Sequence, residues 1–272
     1  MKREAIRPAI LPGIIDVIER VRRQQPLIHY VPNLVTAGFV ADALLAFGAA
    51  PIMAVEPEEF AELPAAAVAL NMGTLSSAYM PVLEAAGRAA LVRGRPLVLD
   101  PVGAGATTLR REIALYLLGC CPGAVVRANA GEAGALLDRP LGAHGVDVRG
   151  GSAPTAELAT QLARRIGGVA AVTGVVDAIS DGGRTLGIAN GHPWLAAITG
   201  AGCMLSGLVA ACLSVEQDAL LAAAAATLAM GVAGQVAATR ASGPGTFRAA
   251  LLDALYSLDA DMIHVVGRVQ WI

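Results

Sequence analysis

Pro96-Leu97-Val98-Leu99-Asp100-Pro101-Val102-Gly103-Ala104-Gly105-Ala106-Thr107 decides how the rest of the chain is read. Residues 96–99 form a short apolar run that stops at an acid, which reads as a buried strand ending on Asp100. Residues 101–107 read as a Gly-rich loop, and 110–118 as a helix. Strand, loop and helix in that order make the repeating unit of a parallel sheet covered by helices. An acid at the strand's end stands where open α/β sheets bind ligands, outside the carboxyl ends of the strands.

The alternation recurs on both sides. Upstream, 1–25 reads as a leading helix with Arg20, Arg22 and Arg23 at its basic end. Residues 27–30 read as a strand broken by Pro32-Asn33, and Thr36 starts a helix through about Phe47 with Gly48 just past its end. Residues 51–55 read as a strand, 56–60 as a polar helix start, 68–70 as a strand running into Asn71-Met72-Gly73-Thr74, and 76–93 as a helix. Downstream, strand 124–126 ends at Arg127, followed by Asn129 and a helix carrying Glu132; 138–154 is a polar, Gly-rich surface loop and 156–166 a helix. Strand 169–172 ends at Thr173-Gly174, and 177–180 with 185–188 make a hairpin around Asp181-Gly182-Gly183. Residues 194–198 lead into Thr199-Gly200-Ala201-Gly202-Cys203, which opens a long apolar helix over 204–215. Two or three helices close the chain, with Gly243-Pro244-Gly245 between the last two. The expectation is a layered α/β fold with a mostly parallel sheet, in a single domain over 1–272 without internal repeat or linker.

Composition narrows the functions. The chain has 272 residues, of which 55% are hydrophobic and 15% charged, so subunit contacts are expected to cover much of its surface. A net charge of −2 with no basic block argues against nucleic acid as a partner. The four cysteines, Cys120, Cys121, Cys203 and Cys212, show no CxxC or zinc spacing, as expected of a reduced, cytoplasmic protein. The first residues lack an uninterrupted apolar segment before a small-residue cleavage site. Residues 220–238 are uncharged and long enough to span a membrane, but they are mainly Ala with two Gly and a Gln and lack flanking Trp or Tyr. An Ala-rich buried helix is the better reading, and no membrane partner is expected. Lys2 is the sole lysine and no GxxxxGK[ST] loop is present. Phosphate chemistry in this chain must therefore use arginine, metal ions and backbone N–H groups.

The residues at the strand ends suit that chemistry. Asp100 and Glu132 are carboxylates able to hold Mg²⁺ directly or through water. Arg127 can bind phosphate, Thr173 can add a hydroxyl to a nucleotide, and Gly200-Ala201-Gly202 opens a helix whose N–H groups and dipole favour an anion. Taken singly, each has a structural alternative: Asp100 as a cap, Arg127 with Glu132 as a surface ion pair, Thr173 as a turn residue, Met53 as core. Their common placement favours phosphoryl transfer from a nucleotide to a small acceptor.

In these segments the chain resembles the hydroxyethylthiazole kinases of thiamin biosynthesis and salvage, members of the ribokinase-like superfamily. The resemblance rests on Gly48-Ala49-Ala50-Pro51-Ile52-Met53, Ala69-Leu70-Asn71-Met72-Gly73-Thr74-Leu75, residues 99–107, Arg127-Ala128-Asn129-Ala130-Gly131-Glu132, Ala171-Val172-Thr173-Gly174, Ile198-Thr199-Gly200-Ala201-Gly202-Cys203 and Gly243-Pro244-Gly245-Thr246-Phe247-Arg248. It implies a three-layer α/β/α ribokinase-like fold and phosphorylation, by ATP with Mg²⁺, of the primary alcohol of 4-methyl-5-(2-hydroxyethyl)thiazole. It places the thiazole near Met53, Gly200 and Asn33, ATP at Arg127, Thr173 and Asn129, and the metal at Asp100 and Glu132. It also implies a homotrimer with active sites at subunit contacts.

Cys203 stands where most ribokinase-like enzymes keep an aspartate base. A thiolate there can accept the proton of the acceptor's hydroxyl or orient that hydroxyl. Alternatively Cys203 only shapes the pocket while Mg²⁺ and positioning supply the rate. The chain departs from the family pattern with Pro32 before Asn33 and with Gly38 and Asp42 at positions where the family keeps asparagines. That leaves a kinase for a pyrimidine or pyridoxal-like alcohol as an alternative, with a nucleotide-dependent hydro-lyase or a silent binding protein as different classes. His29 and His192 read as structural, and Cys120 and Cys121 as buried apolar residues.

Overall fold

The computed structural model describes residues 10–139 and 153–272. Most of the expected loop over 138–154 and the first nine residues of the expected leading helix lie outside the described residues. The elements follow as α1 (Ile10–Gln24), β1 (Leu27–Val31), α2 (Ala37–Phe47), β2 (Ala50–Ile52), β3 (Ala67–Asn71), α3 (Met80–Val92), β4 (Leu97–Asp100), α4 (Thr108–Cys120), β5 (Val125–Asn129), α5 (Ala130–Leu136), α6 (Ala153–Ile166), β6 (Ala170–Thr173), β7 (Asp177–Ser180), β8 (Thr185–Ile188), α7 (Ala201–Leu213), α8 (Ala219–Arg240), α9 (Pro244–Ser257), α10 (Ala260–Val266) and β9 (Val269–Trp271).

One sheet runs β2-β1-β3-β4-β5-β6-β7-β8-β9. Strands β2 through β6 in that order pair in parallel, and β7, β8 and β9 add on antiparallel. The parallel strands are apolar on both sides because helices cover both faces. Helices α1, α2, α7, α8 and α9 contribute to one core and α3, α4, α5 and α6 to the other, which makes three layers. The α/β/α expectation holds. Helix α8 is long and apolar enough to cross a membrane, but 78% of its apolar window is inside the protein. Its run of alanines allows close contact with α1, α7 and α9, so it is a core helix.

Several boundaries differ from the reading of the sequence. The strand expected over 51–55 ends at Ile52, and the helix expected from 76 starts at Met80. Pro244 occupies the first turn of α9, so the Gly243-Pro244-Gly245 break separates α8 from α9, and α10 and β9 follow. Gly48 does end α2, with the left-handed φ of 104° that glycine adopts most readily.

The side-chain period of two sets up the site. In β3, Ala67 and Ala69 face the layer of α7, while Val68 and Leu70 face the opposite layer. Asn71 therefore emerges at the carboxyl end of β3 on the α7 side. By the same parity with Val98 and Val125, Asp100 and Arg127 emerge on that side too, as does Tyr30 of β1.

Candidate active site

The N-terminus of α7 fixes the geometry. Gly200 caps it with φ 96° and ψ 0°, a left-handed conformation that strains any residue with a Cβ. Met204 N–H is the first to bond within the helix, to Gly200 O at 2.8 Å. The N–H groups from Gly200 to Cys203 thus stand outside the helical ladder at the positive end of the dipole. A Cβ on Gly202 would lie 2.3 Å from Nη2 of Arg127. Glycine there lets a buried guanidinium lie directly against the turn, so fixed dipoles and a full positive charge converge on the same place.

Arg127 is not the surface partner of Glu132. Its side chain is 6% exposed and pairs with Asp100, Nη2 lying 3.1 Å from Oδ1, and its Nε donates to Ser206 Oγ at 3.1 Å. Burial opposes its charge, but Asp100 and then Glu132 outweigh that and raise its pKa. Asp100 is fully buried and also accepts from Asn71 Nδ2 at 2.9 Å and Ser206 Oγ at 2.8 Å. Burial raises its pKa to about 6 against the pull of Arg127.

A second arm of hydrogen bonds runs toward β1 and the turn that follows it. Asn71 Nδ2 also donates to Tyr30 Oη at 2.9 Å, and Tyr30 donates to the carbonyl of Cys203 at 3.2 Å. Burial pushes the Tyr30 phenol well above its usual range, so it remains a donor. Asn33 Nδ2 donates to Asn71 Oδ1 at 2.9 Å and reaches Cys203 Sγ at 3.4 Å. Asn33 Oδ1 accepts from the backbone of Val35 and Thr36, both at 3.0 Å. Thr36 therefore does not cap α2 with its own side chain, because Asn33 organises that turn. Thr36 Oγ1 is the one buried side-chain oxygen or nitrogen without a partner among the described residues.

Farther along the sheet, Asn129 and Thr173 are opposite one another in the β5–β6 register. Asn129 also forms a capping box with Glu132: Asn129 Oδ1 accepts from Glu132 N, and Glu132 Oε2 from Asn129 N, both at 2.9 Å. Glu132 Oε1 accepts from Gly103 N at 2.9 Å, which ties the loop after β4 to α5. Thr173 Oγ1 lies 3.4 Å from Ala128 O. Met53 follows Ile52, the partner of His29, and so leaves the sheet beside Tyr30; His29 Nε2 holds the next carbonyl, of Ala54, at 3.1 Å.

The structure thus brings Asp100, Arg127, Asn33, Cys203 and the Gly200–Gly202 turn into one connected cluster. Glu132, Asn129 and Thr173 sit next to it on β5, β6 and α5. Tyr30, Asn71, Ser206 and Arg110 were not assigned roles from the sequence. Arg110 donates to Met72 O and Val102 O, both at 2.8 Å, and to Gly73 O at 3.0 Å, clamping the loops after β3 and β4. The usable signal was a polar residue ending an apolar strand for Asn71 and one inside an apolar helix for Ser206. Of the departures from the expected pattern, Pro32 directly precedes Asn33 of the cluster, while Gly38 and Asp42 lie on the exposed face of α2. Within the chain the latter two leave the cluster untouched.

Comparison with known proteins identifies the family. A profile of the hydroxyethylthiazole kinase family matches residues 18–261. A hydroxyethylthiazole kinase of Herpetosiphon aurantiacus is 49% identical over 243 residues, covering 89% of this chain and 90% of its own. One from Desulforudis audaxviator is 46% identical, covering 94% of each. The solved structure of a hydroxyethylthiazole kinase from Pyrococcus horikoshii OT3 superposes with a TM-score of 0.89 at 38% identity, over 96% of this chain and 99% of that one. Pyridoxal kinase from Staphylococcus aureus in complex with ADP, at 16% identity, a TM-score of 0.60, and coverage of 77% and 87%, shares the fold.

Proposed function

The chain belongs to the hydroxyethylthiazole kinase family, and from that premise we propose that it transfers the γ-phosphoryl group of ATP, with Mg²⁺, to the primary alcohol of 4-methyl-5-(2-hydroxyethyl)thiazole in thiamin biosynthesis or salvage. The observation that carries this reading is the α7 turn: N–H groups from Gly200 to Cys203 with the Arg127 guanidinium lodged against Gly202. Such a turn is built for the charge on a transferring phosphoryl group, because its donors are already oriented when the charge arrives.

In this mechanism the acceptor's oxygen forms a bond to the γ-phosphorus while the bond to the β–γ bridging oxygen breaks, and ADP leaves with that electron pair. The hydroxyl's proton passes to the thiolate of Cys203. The turn and Arg127 hold the moving group, with Arg127 kept in place by Asp100 and Ser206. Asn129 and Thr173 face the nucleotide, and Met53 the thiazole. Asn33 has both of its amide N–H groups and its carbonyl engaged within the protein, so it serves the acceptor by shaping the pocket.

Asp100 and Glu132 are hard oxygen donors of the kind Mg²⁺ takes. Each already accepts hydrogen bonds on both oxygens, which fits an ion held through its own waters. Magnesium bound with the nucleotide supplies neutralisation of the phosphate charge.

The same reading makes the enzyme a cytoplasmic homotrimer. Supporting it are Leu34 and Val35, 85% and 69% exposed beside the buried Asn33.

The test is ATP turnover with hydroxyethylthiazole and Mg²⁺, with detection of the phosphate ester, run beside pyridoxal and a hydroxymethylpyrimidine. The ester of the thiazole is expected in clear excess. Nucleotide binding without an ester from any alcohol would sink the proposal, and preference for another alcohol would move the substrate.

A further inference from the structure

The direction of the hydrogen bonds around Cys203 is determined from both ends. Asn33 Oδ1 faces two backbone N–H groups, of Val35 and Thr36. Only an oxygen can sit there, so the opposite end of the amide, Nδ2, faces the sulfur. From the other side, Asn71 Oδ1 accepts from the backbone N–H of Gly73 at 2.8 Å, so Asn71 presents that oxygen to Asn33 and its Nδ2 to Asp100. Asn33 must then donate to both Asn71 and Cys203. Tyr30, which accepts from Asn71, has its single proton for the Cys203 carbonyl. The amide of Asn33 also has no room to swing: Gly73 lies so close that a Cβ there would sit 2.7 Å from it.

We propose that Asn33 is the positioning residue of Cys203, donating to Sγ so that the sulfur is held as an acceptor on that side and exchanges its proton on the side of the bound alcohol. This rests on the reading of Cys203 as the group that takes the hydroxyl's proton. An N–H donor on sulfur favours the thiolate over the thiol, because the ionised acceptor makes the stronger hydrogen bond. The ionisable groups around the sulfur are Tyr30 on β1, Arg127 on β5 and, bound to Arg127, Asp100 on β4. A change at Asn33 removes none of these charges. The chain Cys203–Asn33–Asn71–Asp100 also joins the acceptor side to the phosphate side through two asparagines whose orientations depend on each other.

The test uses Asn33→Ser, whose hydroxyl can still accept from the Thr36 backbone in a local turn but offers no donor within reach of sulfur. Alkylation of the Cys203 peptide by iodoacetamide is followed by mass spectrometry from pH 6 to 10, with half-exposed Cys120 as the internal reference. The variant is expected to reach half-maximal alkylation at a pH higher by about one unit, hence roughly tenfold slower labelling at neutral pH, with Cys120 unchanged. Its kcat is expected to fall on the order of tenfold with KM for ATP unchanged. Asn33→Asp preserves the turn and places an oxygen against the sulfur, so it is expected to shift the profile further; it serves as the test if the serine variant fails to fold. Profiles identical to the parent in the folded variants would overturn the proposal, even if kcat fell. Labelling needs no turnover, so a shifted profile in a protein that forms no ester supports the positioning role while the kinase reading fails separately.

Discussion

At the scale of single residues, the question is what a thiol does in the place of a carboxylate. Cys203 is 8% exposed, in the first turn of α7, with an amide donor at 3.4 Å and a guanidinium beside the neighbouring glycine. Every one of those features would suit an anion at this position, and an aspartate would gain from the dipole as well. Cys203→Asp is therefore expected to keep its activity or raise it. Cys203→Ser keeps the size but has no accessible anion, so a loss of about a hundredfold in kcat is expected, within the range of general-base effects. Steady-state rates of the two variants against the parent decide the matter. An inactive aspartate variant with normal folding would argue that Cys203 only shapes the pocket.

At the scale of elements, the site is assembled from caps and strand ends, and that is why only part of it was legible. A strand run of apolar residues stopping at Asp100, Arg127 or Thr173 is visible in the sequence because the polarity changes abruptly. The pairing of Arg127 was not visible, since whether its partner is Glu132 or Asp100 depends on which strands lie side by side. Strand register brings Asn71 to the Asp100 carboxylate and to Tyr30, and the packing of α7 brings Ser206 to the same carboxylate, neither of which the sequence shows. Strand β9 has three residues and β2 three, too few for periodicity to show. Asn129, proposed to face the nucleotide, also carries a structural task. Its cap on α5 holds Glu132 in place, and Glu132 in turn holds the loop after β4 through Gly103. Asn129→Ala is expected to lower stability by about 1 kcal/mol, the usual cost of losing an N-cap, whereas Asn129→Asp retains the acceptor and most of the stability. Urea midpoints at unchanged slope measure both. Equal midpoints for the alanine variant and the parent would show that the box adds nothing beyond the helix itself.

At the scale of the whole molecule, the turn that follows β1 has two faces with opposite chemistry. Asn33 is turned inward to Cys203, while Leu34 and Val35 project outward and the turn is tied to the next loop by Leu34 N–H on Thr74 Oγ1 at 3.1 Å. An apolar pair held rigidly at the edge of a polar site is what a neighbouring subunit would cover, each side chain contributing roughly 1.5–3 kcal/mol if fully buried. In a homotrimer the contact would occur three times, and its loss would open the acceptor side of every site. The double variant Leu34→Glu, Val35→Glu is then expected to sediment as a monomer where the parent sediments as a trimer. Because both side chains are exposed in the single chain, the variant's fold is expected to survive, with unchanged far-ultraviolet circular dichroism. Its KM for the alcohol should rise more than its KM for ATP, since Asn129 and Thr173 lie at the far side of the sheet's carboxyl edge from this turn. A parent that sediments as a monomer would remove the trimer from the reading. A variant that remains trimeric with unchanged kinetics would move the subunit contact to another face, leaving Leu34 and Val35 as an apolar rim around the bound alcohol alone.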